Sequence, residues 1–280
     1  MHELSIIILQ HNSPNEVTNC LRSLQKSWLP EKTEIIIIDN GGQQANEKIP
    51  KDAYEPLAQK NIDIRFLDIP NKGYPNGNNA GLKVADGKFI AVVNPDITTE
   101  HDTIKLLLNY LETHKKVGIV APRLIYPSGQ VQDNYRKFPR LIDLIIKRTP
   151  FLLKLFPQRM RRYLMWDKNP TLDEPVDWVT GAFEIVRREV FDTIGFHDEK
   201  YFLFMSDIAI CRDAWAKGFE VHFVGSAKAH HGEKRLSSGG FRDIFKKKVL
   251  RIHIMDAIKY YFAYFLKPIP PESPSGKDHR

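Results

Sequence analysis

Residues 88–96 read Lys88-Phe89-Ile90-Ala91-Val92-Val93-Asn94-Pro95-Asp96, an apolar run closed by a polar turn that carries a carboxylate. A short apolar run bounded by Asn, Pro and Asp reads as a strand buried on both faces. The same shape occurs twice upstream. Residues 5–9 lead into Gln10-His11-Asn12, and the isoleucine-rich 34–38 lead into Asp39-Asn40-Gly41-Gly42. Helical patterns fill the gaps at 15–27 (Val17, Leu21 and Leu24 on one face), 76–84 and 103–114, and residues 62–67 alternate like a further strand. This βαβ rhythm predicts an α/β fold, a mostly parallel central sheet flanked by helices. Ligands of such sheets sit beyond the carboxyl ends of the strands, where the three polar clusters fall.

The second half is less regular. Residues 117–124 read as a short strand weakened by Gly118 and Pro122, and Tyr126-Pro127-Ser128-Gly129 reads as a turn. Residues 140–175 are basic and Pro-punctuated, with no clear period. Then come a strand at 178–187, a short helix at 188–194, a helix at 207–217 and a strand at 220–224. The tail, 268–280, is rich in Pro, Ser and charge and is expected to be disordered. There is no internal repeat.

At 280 residues, 42% hydrophobic and 27% charged, the composition is that of a soluble globular protein. No apolar run approaches the ~18–20 residues that span a bilayer. Met1-His2-Glu3-Leu4 runs straight into a strand, so no signal peptide is expected. Two cysteines, Cys20 and Cys211, make no disulfide framework, and a reduced, cytoplasmic chain is the simplest expectation.

The net charge of +7 is concentrated in two stretches. Residues 136–162 hold nine basic groups against Asp143, and 234–268 hold nine against Asp243 and Asp256. Both interleave charge with large apolar side chains, such as Leu144, Ile145 and Phe151 in the first and Ile258, Phe262 and Phe265 in the second. A basic amphipathic stretch suits an anionic membrane surface, and equally a surface helix with its apolar face in the core. The second stretch, over 236–267, reads as a C-terminal amphipathic helical extension that could also pair with another subunit to give a homodimer. No recognisable nucleic-acid module accompanies the charge, so nucleic acid is not the expected partner.

Candidate chemistry falls on a few residues. Asp96, at a strand end, can hold a divalent cation, though Asp after Pro is common in turns. Asp39 can accept from a base or ribose, or close an Asx-turn. The loop from Asn71 to Gly81, with Lys72 and Gly73, can bring backbone and positive charge to a phosphate, or be an ordinary Asn/Gly turn. Asp207 follows the aromatic run Tyr201-Phe202-Leu203-Phe204 and can be a general base or a helix cap. His230-His231-Gly232 can meet metal or phosphate, but no Cys or second His at ligand spacing makes a zinc site.

The order of these signals is more specific than any one of them. Strand–Gln-His-Asn, Ile-Ile-Asp-Asn, Asn-Lys-Gly-Tyr-x4-Asn-Ala-Gly, Val-Val-Asn-Pro-Asp, Val-Thr-Gly-Ala-Phe-x-x-Val-Arg-Arg-Glu-Val-Phe, the Gly-Phe-His-Asp-Glu-Lys-Tyr-Phe-Leu-Phe-x-Ser-Asp stretch and His-His-Gly follow one another. The series, over about residues 4–235, resembles family-2 glycosyltransferases with a GT-A fold, whose sheet is Rossmann-like, and within them the rhamnosyltransferase-like enzymes of bacterial surface polysaccharides. The resemblance implies a GT-A domain over 1–235, its donor-binding half about 1–125 and its acceptor half about 126–235. It implies inverting transfer from a nucleotide-diphosphate sugar, with Mg²⁺ or Mn²⁺, to a glycan or lipid-linked acceptor, peripheral to the inner face of the plasma membrane. Carried over, Gln10, Asn12 and Asp39 would lie around the nucleoside, and Lys72, Gly73, Asn79 and Asn94 on the donor's base and phosphate side. Asp96 and His231 (or His230) would lie at the metal, and Asp207 would be the general base. Two departures stand out. Ser206 and Ala209 replace carboxylates usual beside the base, and Gln10-His11 replaces a usual Thr-Tyr. The first leaves open a catalytically inactive nucleotide-sugar-binding or scaffold protein.

Overall fold

The computed structural model describes residues 1–41, 44–232 and 248–278. Gly42 and the start of the second basic stretch, residues 234–247, lie outside the described residues. In chain order the first half holds β1 (Leu4–Gln10), α1 (Pro14–Lys26), β2 (Thr33–Asn40), α2 (Glu55–Ala58), β3 (Asp63–Ile69), α3 (Tyr74–Val84), β4 (Phe89–Val93), β5 (Ile97–Thr99), α4 (Thr103–Thr113) and β6 (Val117–Ile125). The second half holds β7 (Tyr135–Arg136), α5 (Leu141–Arg148), α6 (Pro150–Leu155), α7 (Pro157–Tyr163), β8 (Glu174–Pro175), β9 (Trp178–Val179), β10 (Phe183–Arg187), α8 (Arg188–Ile194), α9 (Ser206–Ala216), β11 (Glu220–His231), α10 (Lys248–Tyr264) and α11 (Pro274–Lys277).

One sheet runs β3-β2-β1-β4-β10-β6-β11-β5, with β8 also on β11. The first four strands are mutually parallel. β10 is antiparallel to both neighbours, β11 is parallel to β6, and β5 closes antiparallel on β11. β1, β2 and β4 are buried along their whole length, which is why they read as unbroken apolar runs rather than alternations. Their side chains alternate between two core layers. Ile7, Ile36, Ile38 and Ile90 pack in one, with α9 and α10, whereas Ile6, Ile35, Ile37 and Phe89 meet α1 and α4 in the other. α1 shows the usual logic: Pro14 at its first turn, and Val17, Cys20, Leu21 and Leu24 buried at helical spacing.

The structure departs from the sequence expectation in five places. β6 is nine residues long despite Gly118 and Pro122. Pro122 has no N–H to donate, and β11 shifts register between Val224 and Lys228 just where they face Pro122 and Arg123. That shift carries β11 well beyond residue 224, to His231. The expected strand at 178–187 is broken into β9 and β10, because Gly181 turns against Tyr74: a Cβ there would sit 3.0 Å from the phenolic oxygen. Residues 141–163 form three short helices, two of them begun by Pro, so no single period runs through them. The tail over 268–278 is ordered. The buried carboxylate of Asp177 accepts from the N–H of Phe138 (2.6 Å), the N–H of Ser275 (2.8 Å) and the Ser275 hydroxyl, and Ser273 and Ser275 are buried.

Candidate active site

The parallel register sets Gln10 opposite Asp39, and Ile8 opposite Val93, so β1, β2 and β4 end side by side. Gln10 is buried at the end of β1, and its Nε2 donates to Asn46 Oδ1 at 2.7 Å. Asp39 is buried at the end of β2 and accepts from the N–H of Ala45 at 2.8 Å. Among the described residues each keeps one buried acceptor with no hydrogen-bond partner, Gln10 Oε1 and Asp39 Oδ1. Buried orphans are rare, and two at one sheet edge mark a place where donors from a ligand would be satisfied. Asn12 lies exposed on the rim with φ 54°.

The Gly/Asn loop does something other than the sequence implied. Lys72 is exposed, but Gly73 turns inward with φ 108°, where a Cβ would collide with the Phe202 carbonyl. The next residue, Tyr74, donates its N–H to that carbonyl at 2.7 Å, and Asn40 Nδ2 donates to Gly73 O at 3.1 Å. Glycine is required here by the φ of 108° and the close Phe202 carbonyl. Asn79 does not join the donor edge. Its Nδ2 donates to His197 O (2.8 Å) and Glu199 Oε1 (2.9 Å), and its Oδ1 accepts from the N–H of His197 (3.0 Å). Its whole amide is spent pinning α3 to the 197–199 segment.

Beyond β4, the Asn94 N–H donates to Ala182 O at 2.8 Å, joining the turn to the start of β10. Asp96 then meets β11, whose end pairs His231 with Ile97 and His230 with Thr98. Strand alternation sends the two histidines opposite ways. His230 faces Glu100 (3.4 Å), and His231 Nε2 lies 3.3 Å from Asp96 Oδ1. His231 Nδ1 is bonded to Gln132 Oε1 at 2.6 Å. With the proton on Nδ1, Nε2 presents a lone pair to a carboxylate, a juxtaposition that a cation between them relieves. One carboxylate and one imidazole suit Mn²⁺ or Mg²⁺ with positions left for phosphate oxygens. Among the described residues the one cluster of three potential ligands, His2, Glu34 and Asp86, lies where β1 and β2 begin, away from this edge.

Asp207 opens α9 against the same junction: a Cβ on Gly181 would be 3.7 Å from its own. Its carboxylate accepts from the N–H of Ile208 at 2.9 Å and from the Gly181 backbone, with the Arg136 charge nearby. Burial raises its pKa, and those partners hold the rise in check. Beside it lies Glu184 of β10, a residue sequence reasoning missed. Glu184 is fully buried, and among the described residues neither carboxylate oxygen has a hydrogen-bond partner. Burial and then the Asp207 charge push its pKa up to about 8. The two carboxyls thus sit in different environments, and near neutral pH Glu184 keeps its proton. The signal was available, since Glu184 is the charged residue inside the apolar Phe183–Val186 stretch. Ser206 and Ala209, where carboxylates are usual, are both buried, and the Ala209 carbonyl accepts from Tyr264 of α10 at 3.4 Å. Gln132 and Asn46, which position His231 and Gln10, had no signal in the sequence, because each depends on which loop folds beside it.

A family model described as "Glycosyl transferase family 2" matches residues 5–195. The chain is 25% identical over 252 residues to rhamnosyltransferase WbbL of Escherichia coli K12, covering 85% of this chain and 88% of that one. It is 27% identical over 227 residues to N-acetylglucosaminyl-diphospho-decaprenol L-rhamnosyltransferase of Mycobacterium tuberculosis, covering 70% of this chain and 66% of that one. Among solved structures, the mannosyltransferase PcManGT of Pyrobaculum calidifontis, in complex with GDP-Man and Mn²⁺, superposes with TM-score 0.61 at 13% identity, over 98% of this chain and 66% of that one. At that identity the likeness is one of fold.

Proposed function

The chain belongs to glycosyltransferase family 2 with a GT-A fold, and from that premise we propose an inverting transfer of a sugar from a nucleotide-diphosphate donor to a lipid-linked or polysaccharide acceptor. The observation that carries the proposal is the meeting of Asp96 and His231 at the carboxyl edge of the sheet, with His231 Nδ1 held by Gln132 and Nε2 turned to Asp96. The relatives' names favour L-rhamnose as the sugar, and a thymidine diphosphate as its carrier goes with that choice. The acceptor on a diphospho-decaprenol in the second relative's name supports a lipid-linked one here. No helix among the described residues is long and apolar enough to cross a membrane, so we place the chain peripherally, at the inner membrane face.

In this reading Gln10 and Asp39 accept hydrogen bonds from the nucleoside through their two orphaned oxygens. Asp96 and His231 would hold Mn²⁺ or Mg²⁺, and such an ion would supply charge neutralisation for the leaving diphosphate. Asp207 removes the proton of the acceptor hydroxyl as that oxygen bonds to the anomeric carbon. The bond from that carbon to the diphosphate oxygen breaks, and its electron pair leaves with the nucleotide. One displacement inverts the centre, so no second nucleophile is needed. Glu184, holding its proton, adds no second negative charge beside Asp207.

The absence of acidic groups at Ser206 and Ala209 favours a second reading, a scaffold that binds donor without transferring it. Transfer assays separate the two. Wild-type protein with dTDP-rhamnose, Mn²⁺ and a prenyl-diphosphate-linked acceptor is expected to form product, and Asp207→Asn to lose about 10²–10⁴-fold in rate while still binding nucleotide. Donor binding with no turnover of any nucleotide sugar by wild type would leave the scaffold.

A further inference from the structure

α10 carries two apolar stripes. Leu250, Ala257, Tyr260 and Tyr264 are buried against the body of the protein, the one stripe an ordinary surface helix needs. Met255, Ile258, Phe262, Phe265 and Leu266 form a second stripe, continued just past the helix, and Phe262 and Leu266 are 87% and 88% exposed. α5 faces it with Leu141, Leu144 and Ile145, and between the two helices runs a groove of about 390 Å³.

Among the described residues, Arg148 on the groove wall has a buried Nη1 with no hydrogen-bond partner. Arg148 is half-buried, and a phosphate matches the donor fork of its guanidinium. His253, on the same wall, does not compete for that anion as a cation: burial, then Arg148 and Lys147, push its pKa down to about 4.

The groove also adjoins the loop before Asp207. The His253 ring lies 4.5 Å from that of Phe204, centroid to centroid. Asp256, the next inward-facing residue, accepts from the N–H groups of Phe202, Leu203 and Phe204 at 2.9–3.2 Å. We propose that the α5–α10 groove seats the prenyl chain of a lipid-carried acceptor, with the carrier's phosphate on Arg148, so that the attached sugar is presented at Asp207. The proposal rests on the lipid-acceptor reading above. A bilayer is the rival occupant, and its headgroup phosphates would also meet Arg148; the groove, lined from both helices, fits a single prenyl chain.

Calorimetric titration of the full chain tests this, in EDTA so that the metal site takes no part. The probes are farnesyl diphosphate, inorganic pyrophosphate, and vesicles of phosphatidylcholine with phosphatidylglycerol. Farnesyl diphosphate is expected to bind more than about tenfold tighter than pyrophosphate, because the chain buries apolar surface. Arg148→Gln and Ile145→Asp should each weaken it about tenfold or more, with Mn²⁺-dependent nucleotide binding intact as the sign of a folded variant. Equal affinity for pyrophosphate, or binding to the vesicles but not to farnesyl diphosphate, overturns the proposal. Farnesyl diphosphate binding in a protein that binds no nucleotide would instead sink the transferase reading and keep the groove.

Discussion

Replacing Glu184 with Gln keeps its shape and removes its charge, and the cost of that charge can be worked from its surroundings. The carboxyl is fully buried with no hydrogen-bond partner among the described residues, and its pKa rises from 4.5 to about 8. The folded chain therefore keeps a proton that the unfolded chain releases above pH 4.5. Stability must fall as pH rises through that window, and stop falling from this group above pH 8. At about 1.4 kcal/mol per unit, the loss is about 3 kcal/mol by pH 7 and about 5 kcal/mol by pH 9. Glu184→Gln should escape it. In urea unfolding followed by tryptophan fluorescence, the stability gap between variant and wild type should widen by about 3 kcal/mol from pH 4.5 to pH 7. Asp207 titrates in both proteins, so its own contribution largely cancels in the difference. A gap that stays constant from pH 4.5 to pH 9 would mean Glu184 ionises at its ordinary pKa, and a Glu184 that keeps its proton near neutral pH would be refuted.

Other residues give sharper local tests. Gln132→Leu should weaken Mn²⁺-supported nucleotide binding about 10–100-fold by freeing the His231 ring, measured by calorimetry, with little effect on binding in EDTA. Gly73→Ala forces a side chain into φ 108° against the Phe202 carbonyl, and should cost at least about 1–3 kcal/mol in urea unfolding. Cys20 and Cys211 are buried with their thiol pKa values raised, Cys20 to about 12, so a thiol reagent at pH 8 should label neither until denaturant is added.

What the sequence discloses about this protein follows the range of its interactions. β1, β2 and β4 are buried on both faces, so local composition alone marks them, and the polar residues that end them fall at the carboxyl edge of the sheet. The placement of Asp96, Asp39 and Gln10 at that edge is legible for that reason. His231 was readable only as one of two adjacent histidines, and the strand pairing with β5 decides which of them turns to Asp96. Asn79 sits beside Lys72 and Gly73 in the chain, yet its helix face packs against residues 197–199, a contact some 120 positions away in sequence. The tail shows the limit most plainly. Its Pro, Ser and charge describe a segment with little apolar surface, and nothing local reports that Asp177 binds Ser275.

The most direct test of the site is calorimetric titration with dTDP, UDP and GDP, each with Mn²⁺ and with EDTA, on wild type and Asp96→Ala. One of the three nucleotides should bind wild type with Mn²⁺ and lose at least about tenfold in affinity in EDTA and in the variant. Binding that is indifferent to both metal and Asp96, or no binding of any of the three, would contradict the assignment of Asp96 and His231 to the donor's diphosphate.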